Sequence, residues 1–208
     1  MSRLPTDDRY AQLLQGAREL FAGHAFDALS TAEIARRLGV SKALLFHYFK
    51  TKRGLYVASV RAAVAELIAM TEPDPSEPPA VQLWQSMSVY LDWVRANQGE
   101  QQQLLQGGIG VDEEVLAIIE EPRAITLQRV LRALGLTEST LELELAVSGW
   151  LGFSEEVARY WAPRTSVPKE LALGQIVASL QTALAVAKID ASVLKDPQKS
   201  DLRRDSET

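Results

Sequence analysis

The chain contains no cysteine, which removes disulfides, thiolate metal sites and cysteine nucleophiles together. Its two histidines, His24 and His47, are too far apart to form the i, i+4 ligand pair of a helical metal site. No stretch approaches the roughly 18 uninterrupted apolar residues of a membrane span, and the opening MSRLPTDDRY lacks the apolar run of a signal peptide. The expectation is a cytoplasmic protein with no metal, no cofactor and no membrane partner. Nowhere does apolar and polar alternation mark a strand, so the expected fold class is all-α.

What is present is an ordinary globular composition, 47% hydrophobic and 24% charged over 208 residues, enough to bury a core. The net charge of −5 conceals an asymmetry. Through Arg61 there are 10 Lys or Arg against 5 Asp or Glu, a balance of +5; the rest has 12 against 22, a balance of −10. A basic unit on an acidic body points to a polyanion for the first part and a different partner for the second.

Tyr10, Leu13, Leu14, Ala17, Leu20 and Phe21 recur at helical spacing, predicting a helix over 7–22 that Gly23 stops. Ser30-Thr31-Ala32-Glu33 has the form of a capping box opening a short helix. Gly39 ends that helix, Ser41 caps a second from Lys42 to about Lys50, and Thr51 caps a long third reaching toward Met70. The result is a helix-turn-helix burying Ile34, Leu38, Val40, Leu45 and Phe49, with Lys42, Ala43, Leu44, His47 and Tyr48 on the outer side. Four prolines in EPDPSEPPA (72–80) form a connection. Helical periodicity then predicts 81–96, 101–105, 113–134, 138–161 and 169–188, broken at Gly99, at GGIG (107–110), at Gly135 and at 162–168. The last stretch, 190–208, is polar and predicts a disordered tail.

This order, with the residues STAEIARRLGVSKALLFHYFKTK (30–52), resembles the TetR family of bacterial transcription regulators. The match lies in the Ile-Ala pair, the Gly-Val-Ser turn, the Leu-aromatic-x-aromatic-Phe run and the closing lysine, and it departs where Phe46 stands in place of a tyrosine. The resemblance implies a DNA-binding domain over 1–55 and a larger helical ligand-binding and dimerisation domain over 56–189. It also implies a homodimer on a palindromic double-stranded operator that is released by an unknown small molecule. The second capped helix becomes the recognition helix. Lys42, Ala43, Leu44 and His47 are the candidates for base edges, Thr31, Tyr48 and Lys52 are the candidates for phosphates, and Ser41 completes the DNA-binding set.

All four tryptophans lie beyond this segment. Trp84, Met87, Tyr90, Trp93, Trp150 and Phe153 are the candidate lining of an apolar pocket, although core packing explains such residues equally well. The 138–161 helix carries two apolar stripes, Ala146, Trp150, Phe153, Val157, Tyr160 and Val147, Leu151, Ala158, Trp161. Ala172, Ala178, Ser179, Ala183 and Ala187 on the last helix suit close contact with a second copy. Adjacent Glu155 and Glu156 diverge by about 100° on a helix and make no acid–base pair. Two other readings stay open at this level: an architectural DNA binder without an inducer, and an all-helical enzyme, which the lack of a nucleophile–base–orienter set disfavours.

Overall fold

A computed structural model describes residues 6–97 and 113–194. The expected 101–105 helix and the breaks at Gly99 and 107–110 lie outside them. The described residues form helices and turns with no strand: α1 (Thr6–Gly23), α2 (Thr31–Arg37), α3 (Lys42–Phe49), α4 (Lys52–Met70), α5 (Pro79–Ala96), α6 (Glu113–Ala133), α7 (Leu141–Trp161) and α8 (Lys169–Val186), with 3-10 turns at Phe26–Ala28 and Ser192–Leu194. Among them no helix is long and apolar enough to cross a membrane.

Two compact units divide the chain, and neither is continuous in sequence. Unit 1 takes residues 1–66 and 97–121; unit 2 takes 67–96 and 122–208. The divisions at 66/67 and 121/122 fall inside α4 and α6. Pro122 stands inside α6 at the second of them, and having no N–H it leaves the α6 ladder one hydrogen bond short.

In unit 1 the core joins Leu13, Ala17 and Phe21 of α1 to Ile34 and Ala35 of α2, Leu45 and Phe49 of α3, and Leu55, Tyr56 and Val60 of α4. Phe21 and Phe26 both meet the Tyr56 ring edge-on at 5.2 Å. Leu38 and Val40, expected inside, are only half-buried, because they lie at the turn where α2 has ended and α3 has not begun.

Unit 2 packs α5 and α7 against α8. The buried positions of α7 are Leu143, Ala146, Val147, Trp150, Ser154, Ala158 and Trp161, a band that draws on both expected stripes. Phe153 and Tyr160, expected in the first stripe, are 42% and 57% exposed, since they lie off that band. The helix begins at Leu141, not 138, because the Thr140 side chain accepts from the Leu143 amide at 3.3 Å and sets the first turn. Trp150 donates through Nε1 to the Ile176 carbonyl at 2.8 Å, pinning α7 to α8.

Arg129 of α6 closes the end of α4. Its guanidinium donates to the carbonyls of Ile68 (2.8 Å) and Thr71 (3.2 Å) and to Thr71 Oγ1 (3.0 Å), and it ion-pairs with Glu72. These carbonyls would otherwise be the orphan acceptors of a helix C-terminus. At the head of the expected tail, Ser192–Leu194 form a 3-10 turn that anchors through Leu194, which is 2% exposed and whose carbonyl accepts from Gln181 Nε2 at 2.7 Å.

Candidate nucleic-acid interface and ligand region

The helix-turn-helix is built by side-chain caps at each start. Ser30 Oγ accepts from the Glu33 amide and Ser41 Oγ from the Leu44 amide, both at 3.1 Å; each cap contributes about 1 kcal/mol. The reciprocal arm of the capping box is not made. The Glu33 carboxylate instead accepts from Arg36 (2.7 and 2.9 Å) and Arg37 (2.6 Å). Those hydrogen bonds, Arg36 first and Arg37 second, hold its carboxyl down at about 2 against a small opposing effect of burial. Between the helices Gly39 sits at φ 67°, a conformation that suits a residue without Cβ.

On α3, Leu45 and Phe49 face inward at 2% and 6% exposure, and burial of each such side chain is worth about 1.5–3 kcal/mol. Ser41, Lys42, Ala43, Phe46 and His47 are exposed; Leu44 and Tyr48 are half-buried. Tyr48 is held within an aromatic cluster, 6.1 Å from the Tyr10 ring and 5.2 Å from the His47 imidazole, while Tyr10 stacks on Phe49 at 5.0 Å. The outer side of α3 is thus a short row of cation, small residue and imidazole on a rigid apolar base. Thr31 is half-buried at the start of α2. Lys52 opens α4 with its ammonium 3.9 Å from the centre of the Phe26 ring, a cation–π contact that keeps it close to the protein.

The corner from α3 to α4 is tight. Lys50 adopts φ 61°, its Nζ returns to the His47 carbonyl at 3.0 Å, and Thr51 Oγ1 caps the Gly54 amide at 2.8 Å. A Cβ on Gly54 would lie 2.3 Å from the Phe49 carbonyl oxygen, so only glycine lets the two helices meet this closely. Sequence reasoning passed over Gly54; its one signal was a glycine in the first turn of a long helix, where it costs helix stability for no local reason. It also passed over Arg53 and Glu114, which pair at 2.9 Å.

Of the six candidate pocket residues, Trp84, Met87 and Tyr90 are half-buried on α5 and packed against the unit 2 core; Trp93 and Trp150 are within that core at 8% and 2% exposure; Phe153 is on the outward side of α7. Near Tyr90, Arg123 Nη2 donates to both oxygens of Glu155 at 3.0 and 2.8 Å. Burial pushes the Tyr90 phenol up, Glu155 adds to the rise and Arg123 opposes it, so the hydroxyl stays protonated and serves only as a neutral hydrogen-bonding group. His24, the second histidine, bridges α1 and α2, with Nδ1 3.0 Å from the Leu20 carbonyl and Nε2 3.0 Å from Arg37 Nη1. Among the described residues no three His, Asp or Glu side chains converge to hold a metal ion.

Comparison with known proteins adds a second line. A family model described as bacterial regulatory proteins, tetR family, matches residues 13–58, and one described as a tetracyclin repressor-like C-terminal domain matches residues 79–185. The chain is similar to the transcriptional activator FasR of Mycolicibacterium smegmatis, 41% identical over 68 residues, 33% of this chain and 31% of that protein. It is also similar to the transcriptional repressor AcnR of Corynebacterium diphtheriae, 33% identical over 64 residues, 29% of this chain and 34% of that protein. The match therefore spans about a third of the length of these curated relatives. Among solved structures, a tetR-family transcriptional regulator from Streptomyces coelicolor superposes with a TM-score of 0.78 at 25% identity, covering 97% of both chains.

Proposed function

Because the chain belongs to the TetR family of bacterial regulatory proteins, we propose that it is a sequence-specific DNA-binding repressor of transcription, not an enzyme. It acts as a homodimer on a palindromic operator and lets go when unit 2 takes up a small apolar or amphipathic molecule. The observation that carries this reading is α3, which commits Leu45 and Phe49 to the core and leaves Lys42, Ala43 and His47 outward. A helix of this kind fits the major groove, where lysine meets guanine acceptors and a small or apolar side chain meets a thymine methyl. Thr31, Ser41, Tyr48 and Lys52 then serve the phosphates on either side.

A two-fold DNA site calls for a two-fold protein. On α7, Leu141, Leu145, Phe153 and Tyr160 are exposed, and so are Leu171 and Val186 of α8. An added Cβ at Gly149, Gly152 or Gly174 meets nothing within 4 Å, so packing within the chain does not account for glycine at these mid-helix positions, which cost stability. Close approach of a second copy along α7 and α8 does account for it.

The ligand is read as entering among α5, α6 and α7, with Trp84, Met87 and Tyr90 as its apolar contacts and the Arg123–Glu155 pair at its polar end. To act, it must prefer the conformation whose reading heads are wrongly spaced, and a coupling of about 1–3 kcal/mol already changes operator affinity roughly 5- to 150-fold.

The test is selection of bound fragments from random duplex DNA, followed by affinity for the enriched duplex and for a scramble at two salt concentrations. An enriched inverted repeat held far more tightly than the scramble is the expected result. Weak, salt-sensitive and equal binding to both duplexes overturns the reading.

A further inference from the structure

We propose that Arg53 is a further phosphate-binding residue of unit 1, and that Glu114 holds its strength in check; this rests on the DNA-binding reading above. Arg53 follows Lys52 in the first turn of α4, where the helix end favours an anion. Its side chain is 47% exposed. Glu114, in the first turn of α6, sets one carboxylate oxygen 2.9 Å from Arg53 Nη2 and the other 3.8 Å from Nη2 of Arg61, two turns further along α4. The three side chains edge an open groove of about 420 Å³ whose sides include Tyr10, Leu14 and Val57.

A carboxylate and a phosphate offer a guanidinium the same kind of charged acceptor. Glu114 therefore stands where a phosphate oxygen would, and DNA reaching Arg53 must displace it. The exchange is easy, because both partners are about half exposed and such pairs are held weakly in water. It is not neutral: each subunit arrives at DNA with one of its first-turn cations already answered, so fewer counterions leave the duplex when the complex forms. Two arginines share the single carboxylate, which lets Glu114 shift to Arg61 when a phosphate takes Arg53.

The experiment measures binding of the full chain to a duplex of arbitrary sequence across a salt series, for the wild type, Glu114→Gln, Glu113→Gln, Arg53→Gln and the Arg53→Gln/Glu114→Gln pair. Thermal melts confirm that each is folded. Glu114→Gln is expected to tighten binding by about two- to fivefold at low salt, the worth of one surface ion pair, and to steepen the log–log salt slope by about 0.9 per subunit. Arg53→Gln weakens binding and flattens the slope, and adding Glu114→Gln to it changes nothing more. Glu113→Gln, the same change of charge one residue away, leaves binding near wild type. An equal gain from Glu113→Gln, or an undiminished gain in the Arg53→Gln background, would mean a diffuse charge effect and overturns the proposal. Wild-type binding that Glu114→Gln leaves untouched overturns it alone, whereas no salt-dependent DNA binding by any variant overturns the DNA-binding reading with it.

Discussion

Lys52 and His47 sit a few residues apart and are expected to fail differently. If Lys52 meets a phosphate as proposed, Lys52→Ala should weaken binding on every sequence and flatten the salt slope by about 0.9 per subunit. His47→Ala, on the exposed side of α3, should change which base is preferred with little change in slope; a binding-site selection on each variant separates the two. Glu33 gives a pH signature. Its folded-state carboxyl is depressed from 4.5 to about 2 by Arg36 and Arg37, so the support it lends is complete above its unfolded value and disappears as pH falls toward 2. The gap in urea midpoint between wild type and Glu33→Gln should therefore be constant near neutrality and close below about pH 4.5. Ser30, Ser41 and Thr51 were legible as caps because cap chemistry is local. Gly54 was not, since its reason is the Phe49 carbonyl on another helix. Glu114 was hidden for the same cause: it is 61 positions from Arg53 in sequence, and no periodicity relates them.

Whole elements were read well wherever one side of a helix had to be apolar. α4 ends at Met70, α5 at Ala96, and α6 starts at Glu113, as the spacing predicts. On α7 apolar residues ring much of the helix, so the positions that periodicity groups together divide within one chain into a buried band and exposed residues such as Phe153 and Tyr160. Ser41→Ala should destabilise the protein by about 1 kcal/mol through loss of the Leu44 amide partner, and should cost operator affinity as well, because the cap fixes the first turn of α3. Ser30→Ala should show the stability loss with less effect on binding. Arg129→Met strips α4 of the guanidinium that holds Ile68 and Thr71. With that side chain only 12% exposed, a loss of about 2–3 kcal/mol is expected by urea denaturation.

At the scale of the molecule, Leu145→Glu should leave the monomer folded, because the side chain is 73% exposed. It should lower the sedimenting mass to that of one chain, and affinity for an inverted repeat should fall with it. Retention of the dimer would move the interface away from α7. Among the described residues, 113–121 group with the first unit, and Val115 and Ile118 among them are 7% and 3% exposed; a return of this kind leaves no mark in local composition. Two of the three unit boundaries along the chain fall inside helices, α4 and α6, and the two helices differ in their backbone hydrogen bonding. α4 passes residue 66 with its ladder continuous, whereas α6 passes residue 121 directly into Pro122 and lacks one rung there. The proline therefore gives α6 a local tolerance for bending within its own length that the proline-free α4 does not have.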